Sequence, residues 1–185
     1  MKKTVIIGSA GAGKSTFARQ LGDILQIEVI HLDNLFWRTG WKKISRGKQK
    51  EIQRRLVRRE SWIMDGSYHT TLGSRIKAAD TVIFLDMPLL VCIWGVIIRH
   101  FTAPSRPDLP ERCQDKLDWN YLVKVGNFPT KDRDRLVRHV LVAQENGKEV
   151  IWLHSRREVA GYLRQVREKM QRDHRQQVEA ALVGA

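Results

Sequence analysis

Gly8-Ser9-Ala10-Gly11-Ala12-Gly13-Lys14-Ser15-Thr16 decides how this chain is read, because GSAGAGKST satisfies the phosphate-binding loop pattern GxxxxGK[ST]. The run before it, Thr4-Val5-Ile6-Ile7, is β-branched and reads as a buried parallel strand. The run after it opens an amphipathic helix with Phe17, Ala18, Leu21, Ile24 and Leu25 at apolar positions. Strand, glycine loop and helix is the order such a loop requires. Its glycines let backbone N–H groups turn inward at a helix N-terminus, where the dipole and the unpaired donors favour phosphate. All nine residues from Gly8 to Thr16 are therefore candidate contacts for ATP. Within them Lys14 reaches the β- and γ-phosphates, and the Ser15 hydroxyl ligates Mg2+.

The 185 residues suit one domain, large enough for a sheet covered on both faces. Two cysteines, Cys92 and Cys113, suggest no disulfide framework, and Met1-Lys2-Lys3 leads straight into a strand. A cytoplasmic protein without an export signal is expected. The longest apolar stretch, residues 87–98, is interrupted by Pro88 and Gly95 and is too short to span a bilayer, so it reads as a buried core helix. The formal net charge of +13 is concentrated in residues 42–59, where nine lysines and arginines stand against Glu51 alone. That basic helix can attract nucleic acid or a phosphorylated substrate, or form a solvated exterior with Ile52, Leu56 and Val57 turned inward.

Five strand candidates, residues 4–8, 28–30, 62–65, 81–86 and 149–153, alternate with helices expected at 14–25, 46–59, 70–78, 88–101, 115–126, 131–145 and 156–170. The alternation predicts an α/β fold with a five-stranded parallel sheet flanked by helices. Ser155, with Glu158 three residues on, reads as the cap of the last helix. Three prolines between residues 102 and 111 predict a mobile loop. Residues 171–185 are a tail with no assignable pattern.

Three strand ends carry a carboxylate. Asp33 follows the second strand, beside the phosphate loop, where it can orient an acceptor hydroxyl or hold magnesium through water. Asp65 and Asp86 compete for the magnesium role of a Walker-B aspartate, and Asp65 is favoured. No NKxD-like base-reading segment points to a GTPase. Arg38, Arg75, Arg99, Arg106, Arg112, Arg133 and Arg135 form the set from which a small-molecule kinase would draw its phosphate-stabilising groups. His31 and His69 fall near the expected cleft and read as structural histidines.

The order GSAGAGKST, HLDNLFW, WIMDGSY, TVIFLDMP and IWLHSRRE resembles the nucleoside monophosphate kinase group of P-loop proteins, and within it the topology modulation proteins, over roughly residues 4–165. The resemblance implies a P-loop NTPase fold of the nucleoside monophosphate kinase type, spanning residues 1–170. Its acceptor-binding helical segment would lie at 33–60 and its lid at 99–115. It implies catalytic roles for Lys14, Asp33, Arg99, Arg106, Arg112 and Arg133, with the acceptor near Asp33, Arg38, Asp65, Gly66, Tyr68 and Arg75. Ser15 and Asp65 would serve the metal, and Ser155 and Arg156 the adenine. Adenylate kinases carry an arginine after this strand end, whereas Ser67, Tyr68 and His69 stand here, so adenosine monophosphate is not carried over as acceptor. Cys113 alone in the lid predicts no structural zinc. The expected activity is ATP-dependent phosphoryl transfer to a small, nucleotide-like acceptor. The alternative is an ATP-switched protein that modulates DNA topology through the basic helix 42–59, although no nucleic-acid-binding signature accompanies it.

Overall fold

The apolar runs assemble as a single parallel sheet, and the turns between them set where chemistry can occur. The computed structural model describes residues 1–102 and 119–183. In chain order the elements are β1 (Lys3–Gly8), α1 (Lys14–Leu25), β2 (Val29–His31), α2 (Leu32–Phe36), β3 (Trp37–Arg38), β4 (Lys42–Lys43), α3 (Arg46–Leu56) and β5 (Trp62–Asp65). They continue with α4 (His69–Ala78), β6 (Thr81–Leu85), α5 (Leu89–Thr102), α6 (Trp119–Gly126), α7 (Phe128–Lys131), α8 (Arg133–Glu145), β7 (Glu149–Leu153) and α9 (Arg156–Val183).

The sheet order is β2-β5-β1-β6-β7, with every described pairing parallel. Helices cover both faces, so the strands carry continuous apolar runs, with polar residues at their ends, rather than alternating. Val5, Ile7, Met64, Val82 and Phe84 pack under Leu72, Ile76, Leu136 and Val140 of α4 and α8. Ile6, Ile63, Ile83 and Leu85 face the other way, onto Phe17, Ala18 and Leu21 of α1 and the inner side of α9. Because β1 is central and the chain turns first toward β2 and later toward β6, the loop after β1 opens at the topological switch point. There the register sets Ile6 beside Asp65 and Gly8 beside Leu85.

Several expectations are corrected. The long apolar helix is not wholly buried: α5 buries Cys92 and Val96, while Leu90 is 79% and Trp94 59% exposed, because only one stripe of it faces the phosphate loop and α6. The basic helix ends at Leu56, and its inner face includes Gln49 and Gln53, both buried, besides Leu56. The segment 33–60, expected to be helical, is so only in part: a short α2 is followed by the antiparallel β3–β4 pair before α3 begins at Arg46. The last helix runs on to Val183 through the tail. Residues 171–183 lack an apolar stripe but hold neither glycine nor proline and are rich in good helix formers. No helix among the described residues is long and apolar enough to cross a membrane.

Candidate active site

The phosphate loop is shaped by glycine. Gly11 sits at φ +78°, and a Cβ there would lie 2.0 Å from the Cys92 carbonyl oxygen. Gly95 makes the reciprocal approach from α5, since a Cβ on it would lie 2.2 Å from the Gly11 carbonyl oxygen. The backbone of α5 is thus the floor on which the loop rests. Gly13, at φ +88°, turns the chain into α1, whose first residue is Lys14. The Lys14 ammonium donates to the Ser9 carbonyl at 2.8 Å, folded over the loop it would leave to meet a phosphate.

Ser67, which the sequence reading did not single out as a site residue, ties this loop to the strand-end segment 65–68. Its hydroxyl accepts from Gly8 N–H at 3.0 Å and donates to the Gly8 carbonyl at 2.8 Å. The preceding Asp65 is 6% exposed. The cross-strand register places His31 beside it, with Nδ1 3.1 Å from Oδ2, a contact in which the carboxylate accepts. Burial alone would raise the Asp65 pKa, but the His31 hydrogen bond, Lys14 and the Ser15 hydroxyl outweigh it and hold the group below the usual carboxylate range. Its Oδ1 is buried without a hydrogen-bond partner. An anionic oxygen in that state, beside Ser15 and Lys14, fits a hard cation such as magnesium, which takes one or two protein oxygens and completes its shell with phosphates and water. Among the described residues no group of three or more His, Cys, Asp or Glu gathers as a metal cluster.

Asp86, the rival for the metal, is engaged otherwise. Arg133 grips it with Nε at 2.9 Å and Nη2 at 2.7 Å, and Trp152 Nε1 donates at 3.1 Å. Burial raises its pKa, yet these bonds pull it below the ordinary value. Arg133, expected among the catalytic arginines, therefore braces the end of β6, and a role at phosphate requires its release.

Asp33 lies in the first turn of α2 and is bonded by the Tyr68 hydroxyl. Arg38 is exposed on β3. Arg75 does not face an acceptor: it is fully buried on α4 and donates to the carbonyls of Gly66 at 2.6 Å and Tyr68 at 3.2 Å. Burial lowers its pKa to about 10, and the neighbouring Asp65 resists the fall. The guanidinium thus fastens the segment 66–68 instead of binding a ligand. Arg99 on α5 donates to the Tyr121 hydroxyl of α6 at 3.2 Å. Arg106, Arg112 and Cys113 lie outside the described residues. Ser155 caps α9 in a reciprocal box with Glu158, and Arg156 beside it is exposed. His69 pairs with Asp132 at 3.2 Å. On the basic helix α3 the cations are exposed and Arg55 pairs with Glu51; Arg59, just past the helix, pairs with Glu28.

No family model matches the chain, and no curated protein matches it in sequence, so the topology modulation family remains a resemblance carried by motifs. Among solved structures, a shikimate kinase from Acinetobacter baumannii in complex with shikimate is similar at a TM-score of 0.58, with 15% identity, over 97% of this chain and 94% of that one. A gluconokinase from Sinorhizobium meliloti 1021 is similar at a TM-score of 0.52, with 14% identity, over 92% of each chain. The likeness is one of fold: this chain has the fold of the P-loop kinases, a five-stranded parallel sheet flanked by helices.

Proposed function

We propose that the chain is a magnesium- and ATP-dependent phosphotransferase acting on a small, nucleotide-like acceptor. The observation that carries the reading is the buried, unpartnered Oδ1 of Asp65 beside Ser15 and Lys14 at the mouth of the glycine loop. His31 serves Oδ2, and a buried oxygen left without a partner costs roughly 1–3 kcal/mol for a neutral group and more for a charged one, which a cation would offset. Ser15 and Asp65 would hold the magnesium ion, which when bound neutralises charge on the phosphate oxygens. The N–H groups of residues 8–16 and the start of α1 bind the phosphates, and Lys14 swings from Ser9 to the transferring group. Ser155 and Arg156 flank the base. Asp33 orients the acceptor hydroxyl and takes its proton, with Arg38 at the acceptor. Arg99, and Arg106 and Arg112 beyond the described residues, offer charge to the transition state.

The fold likeness to proteins named as shikimate kinase and gluconokinase supports a small-molecule acceptor over the DNA-topology reading. The test joins calorimetry with Mg-ATP to a phosphoryl-transfer screen over nucleosides, nucleotides, sugars, hydroxy acids and oligonucleotide ends. Transfer to one small acceptor, lost in Lys14→Ala and Asp33→Asn, is expected. No transfer to any acceptor, with DNA binding that weakens linearly with the logarithm of salt, would overturn the reading.

A further inference from the structure

Trp37 on β3 and Tyr68, the residue before α4, are 31 residues apart, and the fold links them in a chain of hydrogen bonds to Asp33. The indole Nε1 of Trp37 donates to the Tyr68 hydroxyl oxygen at 2.6 Å, and that hydroxyl bonds to Oδ1 of Asp33. An indole N–H can only donate. The phenol that accepts from it has one proton to give, and it gives that proton to the carboxylate. Chemistry thus sets the direction of the relay, from Trp37 through Tyr68 to Asp33. Tyr68 keeps its proton, because burial and the adjacent Asp33 charge raise the phenol far above its ordinary pKa.

The Tyr68 ring and backbone are braced by their neighbours. The Tyr68 ring meets Phe36 edge-on, at 4.8 Å between centroids and 80° between planes. The Lys43 ammonium lies 5.1 Å from the same ring and 5.6 Å from that of Trp37. Behind it, buried Arg75 holds the Tyr68 carbonyl.

We propose that Tyr68, backed by Trp37, is the positioning residue of phosphoryl transfer: it holds the Asp33 carboxylate charged and in one orientation before an acceptor arrives. This rests on the kinase reading and deepens it. In the step it serves, the acceptor O–H proton passes to Asp33 and the freed oxygen pair bonds to the γ-phosphorus. The bond from that phosphorus to the bridging oxygen breaks, and its electrons leave on ADP. Tyr68 neither gives up nor gains a proton. Orientation paid before the encounter is where such a group contributes, since a misaimed base loses most of its advantage.

The test uses the whole protein and the variants Tyr68→Phe and Trp37→Phe. The Asp33 carboxyl is titrated by 13C NMR without ligand, and turnover is measured on the acceptor found in the screen. Loss of a hydrogen bond to the charged form is expected to raise the Asp33 midpoint in Tyr68→Phe by about one pH unit, and by less in Trp37→Phe. The kcat of Tyr68→Phe falls about tenfold or more, the KM for ATP holds, and the acid limb of the kcat profile moves up with the carboxyl. Should Tyr68→Phe fail to fold, Trp37→Phe carries the same readouts, since it leaves the Tyr68 ring and the Arg75 clamp in place. If the wild type transfers to no acceptor, the kinase reading fails and the proposal with it. If the wild type transfers but the midpoint, the kcat or the acid limb of the folded variants is unmoved, the relay alone is refuted.

Discussion

Gly95→Ala is a substitution for which helix propensity and tertiary packing point in opposite directions. Gly95 lies inside α5, where exchanging glycine for alanine is worth about 1 kcal/mol of intrinsic helix stability. The new Cβ, however, would stand 2.2 Å from the Gly11 carbonyl oxygen, a backbone atom that cannot rotate aside. To restore a carbon–oxygen contact of about 3.3 Å, helix and loop must separate by about 1 Å. Overpacking of this kind costs about 1–3 kcal/mol. Because the loop is also pinned by Ser67 at Gly8, the cost falls in the upper half of that range, for a net loss of about 1–2 kcal/mol. For a chain of 185 residues, that lowers Tm by about 2–8 °C. A phosphate cradle displaced by this much forfeits at least one charged hydrogen bond, so Mg-ATP affinity should fall about tenfold or more. Gly161→Ala is the control, being helical in α9 with nothing within 4 Å of its Cβ; it should raise Tm by about 1–4 °C. Calorimetric melting and Mg-ATP titration of both variants decide the matter. If Gly95→Ala melts higher, in step with Gly161→Ala, and binds as the wild type does, the close approach of α5 to the loop is refuted.

Three further outcomes are expected. Arg75→Met strands the carbonyls of Gly66 and Tyr68 and removes the buried cation near Asp65, so it should cost about 3 kcal/mol and lower Tm by about 6–12 °C; an unchanged denaturation midpoint would contradict this. Asp86 has a depressed pKa in the fold, and such a carboxyl contributes stability above its unfolded value and loses it as pH falls through the folded one. Arg133→Gln should therefore destabilise at pH 7, with a deficit that shrinks as pH drops below about 4; a deficit independent of pH rules the assignment out. Asp65→Asn should abolish the strengthening of nucleotide binding by magnesium while leaving metal-free nucleotide binding intact, which calorimetry with and without the ion reads directly.

The sequence alone determined what is local. Nine consecutive residues from Gly8 to Thr16 suffice to specify a phosphate cradle, because its donors are successive backbone N–H groups and its shape needs only glycine where φ is positive. Apolar runs of strand length, with β-branched residues and helical stretches between them, likewise imply a parallel sheet covered on both faces. Asp33, Asp65 and Asp86 were legible as strand-end carboxylates, but which of the last two keeps a buried oxygen without a hydrogen-bond partner depends on neighbours far along the chain. Register sets His31 beside Asp65, and α8 delivers Arg133 to Asp86 across 47 residues. Arg75 looked like a ligand for phosphate because charge is visible in a sequence and burial of that charge is not. Ser67 and Trp37 lie inside the motifs WIMDGSY and HLDNLFW, yet what they bond was not legible, since a hydrogen bond across 59 or 31 residues leaves no periodicity. Gly95 read as an interruption in an apolar helix, and only the packing of α5 against the loop shows it as the place where two backbones meet. Periodicity reports which face of an element is apolar; sheet order and register decide what that face and its polar neighbours touch, and tertiary structure alone supplies those.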